Sequence, residues 1–469
     1  MASRAGSSAK HAGNILDSMP AALMQEVLGN LRPHDLTKLA RVSKKYRELA
    51  QAKLWRNIEL HRRDVHDGPW GVPDRENVHR AHLDDKLRNP WTYLVFQPVR
   101  GETDLVFQHY NASYNAIIKK YYQTAGMSQG WKRIAGFVRS LCLTVNGSSP
   151  PRIWNIILSL KHLDRLEVIG ENNFSRGCPP AATGLREPLA TEVHVVRLRG
   201  YIPAAFISTL CKASASTITS LDLGVIEQPR SATGVAVGGD QRVDGSCSAP
   251  RGVLWFKADA PPMLPKMSHL LLCKPGNVGK PEESYEEEMM ECTTDREHEA
   301  LELQSWASLL RTVSTHLAEL VLELRPVCSC FLLDGKSGIV TDSETEYGPD
   351  SPSDELFFRH VLKEVFGVGR TWPKLHKLTL RGINFSHFEQ EMGESLQDFA
   401  SIILPGVTVQ DTAGYYMFVD DRYGWIRNQR GGDGLRPHPD ENPIHYPHFG
   451  ATSDKFEGWY DEDEQEDPF

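Results

Sequence analysis

Short segments of alternating polar and apolar residues return along positions 137–411. They are RSLCLTV (139–145), DRLEVIG (164–170), VVRLRG (195–200), TSLDLGV (219–225), SHLLLCK (268–274), AELVLEL (318–324), HKLTLRG (376–382) and PGVTVQD (405–411). Alternation over so few residues predicts a short strand. The leading apolar residues are Leu141, Leu166, Val196, Leu221, Leu270, Leu320, Leu378 and Val407, spaced by 25, 30, 25, 49, 50, 58 and 29 residues. Such a period marks a repeated strand–turn–helix unit, and the near-doubled spacings mark units that carry insertions. Helix-like apolar spacing fills the gaps at 151–163, 204–214, 301–317, 354–367 and 388–404. A unit this small buries its apolar face only against its neighbours, so the units must stack. The predicted fold class is α/β, a solenoid of parallel strands. Leu166, Leu198, Leu221, Leu270, Leu320 and Leu378 are expected in equivalent inward sites. An ordinary α/β domain with a mostly parallel sheet fits the same pattern and stays open.

Residues 14–60 follow a helical period instead. Pro20 is a start signal, because a helix's first position needs no N–H. Leu23, Met24, Val27, Leu28 and Leu31 then form a stripe, stopped by Gly29, Asn30 and Pro33. A second stripe begins near Asp35 with Leu36, Leu39, Ala40 and Val42, and runs through Tyr46, Leu49 and Ala50 to Leu54 and Trp55. These apolar positions are too many for one small three-helix core, and a unit of this size is marginal alone. Some of them are expected to face a partner.

The ordered set resembles the F-box. That family runs Leu-Pro, an apolar helix, Pro-x-Asp-Leu, an apolar-Val-Cys-x-x-Trp segment and Leu-Trp. The matching residues are Met19, Pro20, Leu23, Val27, Leu31, Pro33, Asp35, Leu36, Leu39, Val42, Tyr46, Leu49, Leu54 and Trp55. Three positions depart: Met19 replaces Leu, Ser43 replaces Cys and Tyr46 replaces Trp. The resemblance implies a three-helix unit docking onto a Skp-type adaptor of a cullin–RING ubiquitin ligase. The adaptor-binding residues it implies are Met19, Pro20, Leu23, Val27, Leu31, Pro33, Leu36, Leu39, Val42, Tyr46 and Trp55. The later repeats resemble the irregular leucine-rich repeats of F-box proteins, as in fungal substrate receptors of that type. The family's Asn or Cys position is not kept in register: Asn146 follows its strand, but no matching Asn follows Leu166.

Charge narrows the partners. The net charge is −9, yet it is regional: residues 282–299 hold nine acids against Arg296, and residues 461–469 hold six acids and no base. Acidity so placed argues against nucleic acid as the main partner. The F-box-like stretch is itself basic, through Arg32, Lys38, Arg41, Lys44, Lys45, Arg47, Lys53 and Arg56. That cluster is either a solvated helix face or a match for an acidic partner surface. Residues 1–13 lack the apolar core of a signal peptide, and no apolar run reaches the roughly 18 residues of a membrane helix. The expectation is a cytoplasmic or nuclear protein whose eight cysteines are free thiols.

The remaining segments divide as follows. Residues 1–13 read as disordered, 14–60 as the F-box, and 61–136 as a connector whose residues 104–123 have helical spacing. The solenoid, 137–411, carries insertions at 227–262, 275–299 and 327–353. Residues 412–469 are an extension whose acidic end reads as disordered. Its Tyr415, Tyr416, Met417, Phe418 and Trp425 are candidates to cap the last repeat. Loops as long as these insertions are usually functional or disordered. The two acidic ones, 275–299 and 327–353, should leave neighbouring strands on one edge. They suggest a target with a basic patch, unless they are only solubilising spacers.

No motif for chemistry withstands its own spacing. Gly276-Asn-Val-Gly279-Lys280 is two residues short of a phosphate loop, and Pro281 stands where a hydroxyl must reach magnesium. Gly367-Val-Gly369 lacks a third glycine, since Trp372 occupies that place. Cys328 and Cys330 lack partners at metal-ligand spacing. No enzyme, cofactor or metal is expected. The predicted function is a substrate-recognition adaptor of an SCF-type ligase, with an unidentified protein as target and no nucleic acid or membrane. Two alternatives stay open: an F-box scaffold that delivers nothing for ubiquitination, and a hydrolase or transferase in the α/β region. A deep pocket with converging polar groups would favour the last.

Overall fold

The computed structural model describes residues 19–31, 33–60, 94–95, 129–145, 147, 149–170, 178–187, 192–227, 251–275, 296–325, 327–329, 352–367, 371–381, 383, 393, 395–412, 415–420, 425–426 and 436–437. The predicted disordered start, the helical spacing at 104–123, the interiors of the three insertions and the acidic end lie outside these residues.

Three helices come first: α1 (Ala21–Asn30), α2 (Pro33–Leu39) and α3 (Lys44–Leu54). Pro20 stands just ahead of α1 in an extended conformation, and its carbonyl accepts from Met24 N–H. The stripe that reads as continuous from Asp35 to Ala50 is broken between α2 and α3. Ser43 does this: its hydroxyl accepts the Tyr46 N–H at 3.2 Å and caps α3.

After α3 only Trp55 and Arg56 precede the first strand, β1 (Asn57–Leu60). It is followed by β2 (Leu94–Val95), β3 (Ser140–Val145), β4 (Arg165–Gly170), β5 (Val195–Tyr201), β6 (Ser220–Ile226), β7 (His269–Pro275) and β8 (Glu319–Arg325). Then come β9 (Val327–Ser329), β10 (Lys377–Arg381) and β11 (Thr408–Thr412). Ten of these form one sheet in the order β2-β1-β3-β4-β5-β6-β7-β8-β10-β11, every pair parallel. Residues 57–60, read from sequence as the close of the N-terminal unit, are thus strand residues of the large sheet. β9 instead pairs with β12 (Tyr415–Asp420), which also holds β13 (Trp425–Ile426) and β14 (Arg436–Pro437) antiparallel. The aromatic strand expected to cap the last repeat is therefore hydrogen-bonded beyond the end of β8.

Parallel neighbours need crossovers. Among the described residues no helix lies between β4 and β5 or between β6 and β7, but other crossovers contain helices. They are α4 (Gln129–Ala135), α5 (Ile153–Leu158), α6 (Ala204–Ala213), α7 (Arg296–Val313), α8 (Pro352–Phe357), α9 (Lys363–Val365) and α10 (Leu396–Ile403). A π-helical turn, Phe358–Leu362, joins α8 to α9. Two rows of strand side chains meet these helices in one continuous core. Leu141, Leu166, Val196, Leu221, Leu270, Leu320 and Leu378 pair in one row; Leu143, Val168, Leu198, Leu223, Leu272, Leu322 and Leu380 pair in the next. Leu198 therefore belongs to the second row and Val196 to the first, and Val409 rather than Val407 pairs with Leu378. Each side chain so buried stabilises the fold by roughly 1.5–3 kcal/mol before entropy is counted.

One backbone device repeats at the start of the strands. The Arg56 carbonyl accepts from the N–H groups of both Arg139 and Ser140. In turn Arg139 accepts from Asp164 and Arg165, Asp164 from His194 and Val195, and His194 from Thr219 and Ser220. Thr219, Ser268 and Ala318 continue the chain of paired bonds to His376 and Lys377.

The opposite strand face carries buried charge. Arg197 pairs with Glu167 at 2.8 Å and with Asp222 at 3.3 Å, and Arg199 pairs with Asp222 at 2.7 Å. Arg199 lies over Gly224, where a Cβ would come within 2.4 Å of its Nη1. All four charged residues are buried, as are Leu271, Cys273, Glu323 and Thr379 on the same face. Among the described residues no helix is long and apolar enough to cross a membrane.

Candidate functional site

The N-terminal unit divides its apolar residues between two faces of α1. Successive helical residues point about 100° apart. Met24 and Leu28 turn inward and join Leu36, Tyr46 and Ala50 in a small core. Leu23 and Val27, one position earlier in each turn, stay 51% and 37% exposed. Val42, between α2 and α3, is 66% exposed, and Pro20 is exposed ahead of α1. Among the described residues six large apolar side chains are exposed, and three are Leu23, Val27 and Val42.

The implied adaptor-binding residues therefore separate. Pro20, Leu23, Val27 and Val42 face outward. Met19, Leu31 and Leu39 are half-buried against the small core. Leu36 and Tyr46 lie inside it, and Trp55 packs on the large core of the sheet. Pro33 begins α2, and its side chain lies outside the described set. Around Val42 the sequence is basic: Lys38, Arg41, Lys44, Lys45 and Arg47 are all exposed. Burial, then the charge of Arg56, hold the Lys53 ammonium below its ordinary pKa.

This unit is fastened to the sheet. Trp55 packs into the large core, and Arg133 of α4 donates to Gln51 Oε1 of α3 at 2.7 Å. Arg139 N–H reaches the Arg56 carbonyl at 2.7 Å. Nothing in the sequence marked these contacts, because a connector separates the partners in the chain.

A second candidate lies at the C-terminal ends of β6 and β7. Lys274 Nζ donates to Glu299 Oε1 at 2.6 Å, and Glu302 lies beside Gly252. Next to them a groove of about 560 Å³ is lined by Ser208, Leu254, Trp255, Phe256, Lys257 and Leu301 among others. Among the described residues its lining holds two serine hydroxyls and an ammonium but no carboxylate, imidazole or thiol. Ser305 donates its hydroxyl to the Glu302 carbonyl, so it has no base to activate it there. Burial pushes the Cys178 and Cys211 thiols up to about 12, which keeps them protonated and unreactive.

Residues 16–61 match the F-box-like family. That span contains α1, α2, α3 and β1. No curated protein matches the chain. The chain thus carries an F-box-like domain at its N-terminal end. Such domains bind Skp-type adaptors within cullin–RING ligases, and they typically act as adaptors rather than enzymes.

Proposed function

We propose that the chain is a two-part adaptor. The F-box-like unit docks on a Skp-type subunit through Pro20, Leu23, Val27 and Val42. The sheet and its helices, read as an irregular leucine-rich-repeat-like solenoid, hold a target protein near the ligase's ubiquitin-charged enzyme. The mechanism is proximity: tethering raises the effective concentration of a target lysine. The chain itself makes and breaks no bond.

The observation that carries this reading is the exposure of Leu23 and Val27 beside the buried Met24 and Leu28. A helix that needed only its own core would not repeat an apolar pair on the solvent side. The basic residues around Val42 suit an acidic partner surface. The solenoid reading is supported by the strand order from β3 onward, which follows the chain apart from β9, and by the repeated paired hydrogen bonds from Arg56 to Ala318. The fastening of Trp55 and Gln51 to the sheet suits a part that must hold a target at a set distance.

The test changes the outward pair only. Leu23→Glu with Val27→Glu is expected to abolish co-purification with a Skp-type adaptor while circular dichroism and melting stay unchanged. Undiminished co-purification overturns the docking surface. The scaffold reading shares this docking. It separates in a second measurement, where blocking cullin activity leaves the abundance of a bound partner unchanged if nothing is delivered for ubiquitination.

A further inference from the structure

The layer of helices over the sheet changes character between α6 and α7. Residues 254–267 cross this interval without forming a helix and lie along α7 instead. Hydroxyls of α7 hold them there. Ser308 donates to the Ala258 carbonyl, and Thr312 reaches the Pro262 carbonyl at 3.4 Å. Trp255 is buried in the large core and meets the Phe256 ring edge-on, with 4.4 Å between centroids. This segment is the wall of the groove of about 560 Å³, which Ser208 of α6 and Leu301 of α7 border. That volume lies within the roughly 300–1,000 Å³ of ligand clefts.

The groove is apolar with one charge. Leu254, Trp255, Phe256 and Leu301 line it, and Leu301 is 50% exposed. Lys257 is the charge; it is exposed and makes no ion pair with the described residues. Asp259 stands between two lining residues, and Glu297 one turn before Leu301, yet neither lines the groove. Lys212 is exposed one turn beyond Ser208 on the same face of α6, which adds a second positive charge on that side. A polar small molecule would need several converging partners, and a single ammonium does not supply them. A nucleic acid backbone would need a row of cations. A protein segment needs only apolar anchors and one matching charge at their rim.

We infer that the groove between α6 and α7 binds a peptide segment of a partner protein that carries apolar side chains beside a carboxylate. The apolar side chains pack on Trp255, Phe256 and Leu301, and the carboxylate reaches Lys257. The wall is already fixed to α7, so binding orders little of this chain. This inference rests on reading the sheet and its helices as the part that holds the target, and it places that target on the helix side.

The test is selection of random dodecapeptides, displayed on phage, by the intact chain. The native chain is expected to enrich sequences that set Leu, Phe, Met or Trp beside Asp or Glu. A synthetic peptide of the enriched type should bind about tenfold more weakly to Lys257→Glu and to Leu301→Glu. Both side chains are exposed, so neither change disturbs the core. Selection by Lys257→Glu should shift toward Lys and Arg. Leu23→Glu with Val27→Glu should leave the peptide bound, which separates this groove from the adaptor surface. Failure to enrich any peptide overturns the inference, as does a peptide that both groove variants still hold. A dimer of the native chain that Leu301→Glu dissolves also overturns it, because a second copy would then be the occupant. Binding that appears only after deletion of 280–294 overturns it too, in favour of that stretch of the chain. Peptide binding lost with adaptor co-purification intact removes the groove alone; the reverse removes the adaptor docking alone.

Discussion

Leu36 and Leu23 are both apolar and both belong to the F-box pattern, yet the structure gives them opposite work. Leu36 is 4% exposed in the small core, and Leu23 is 51% exposed outside it. Leu36→Asp is therefore expected to unfold the three-helix unit, read as loss of its share of helical circular dichroism. Leu23→Asp should leave that signal intact. In the sheet, Leu320 is fully buried in the first core row. Leu320→Ala should lower stability by roughly 2–5 kcal/mol, measured from the denaturant midpoint. Glu302 acts through pH. Its folded-state carboxyl is pushed up to about 7 from 4.5, so the folded chain binds more protons than the unfolded chain between those values. The stability this provides is complete below the lower value and is lost as pH rises through the upper one, a loss on the order of 3 kcal/mol. Urea midpoints at pH 5 and pH 8 should differ less in Glu302→Gln than in the native chain.

At the scale of elements, strands were easier to read than helix ends. Each x-L-x-L segment became a strand, because alternation needs only a few residues to declare which face is apolar. Of the helix expected over 388–404, Leu396–Ile403 form α10, capped where Ser395 accepts the Asp398 N–H and donates its hydroxyl to the Asp398 carboxylate; residues 388–392 lie outside the described residues. The ion pairs across β4, β5 and β6 were not legible. Glu167, Arg197 and Asp222 look like solvent-side residues of alternating strands, and the structure buries all three. Removing Asp222 would leave Arg197 and Arg199 without a shared carboxylate. Asp222→Ala should cost about 3–5 kcal/mol, whereas an exposed pair such as Arg359 with Glu355 should cost under about 1 kcal/mol. Thermal melts of the two variants compare them directly.

For the whole molecule, the fastening of α3 to the sheet predicts one melting transition rather than two. Trp55→Ala should lower the melting temperature of that single transition; a separate early transition confined to helix signal would oppose it. The insertions after β6, β7 and β8 leave the C-terminal ends of neighbouring parallel strands, so their roots share one edge. If the acidic inserts recruit a basic target, deleting 280–294 or 332–350 should weaken capture of that target, and salt should weaken it in the intact chain. Capture unaltered by both deletions and by salt would leave the inserts as spacers. The deletions stop short of α7, because Glu299 is tied to buried Lys274.

The sequence by itself determined the local things: apolar period, strand positions, the F-box-like order of residues and the lack of a spaced catalytic motif. Those depend on neighbours within a few residues, where side-chain direction follows from backbone geometry. Only the tertiary structure decided which apolar residues of α1 stay outside, that Trp55 serves the sheet, that the ion pairs across β4, β5 and β6 are buried, and that Glu302 meets Gly252. These are contacts between residues far apart in the chain. Burial there depends on what another segment brings to the same place, and no local period records it.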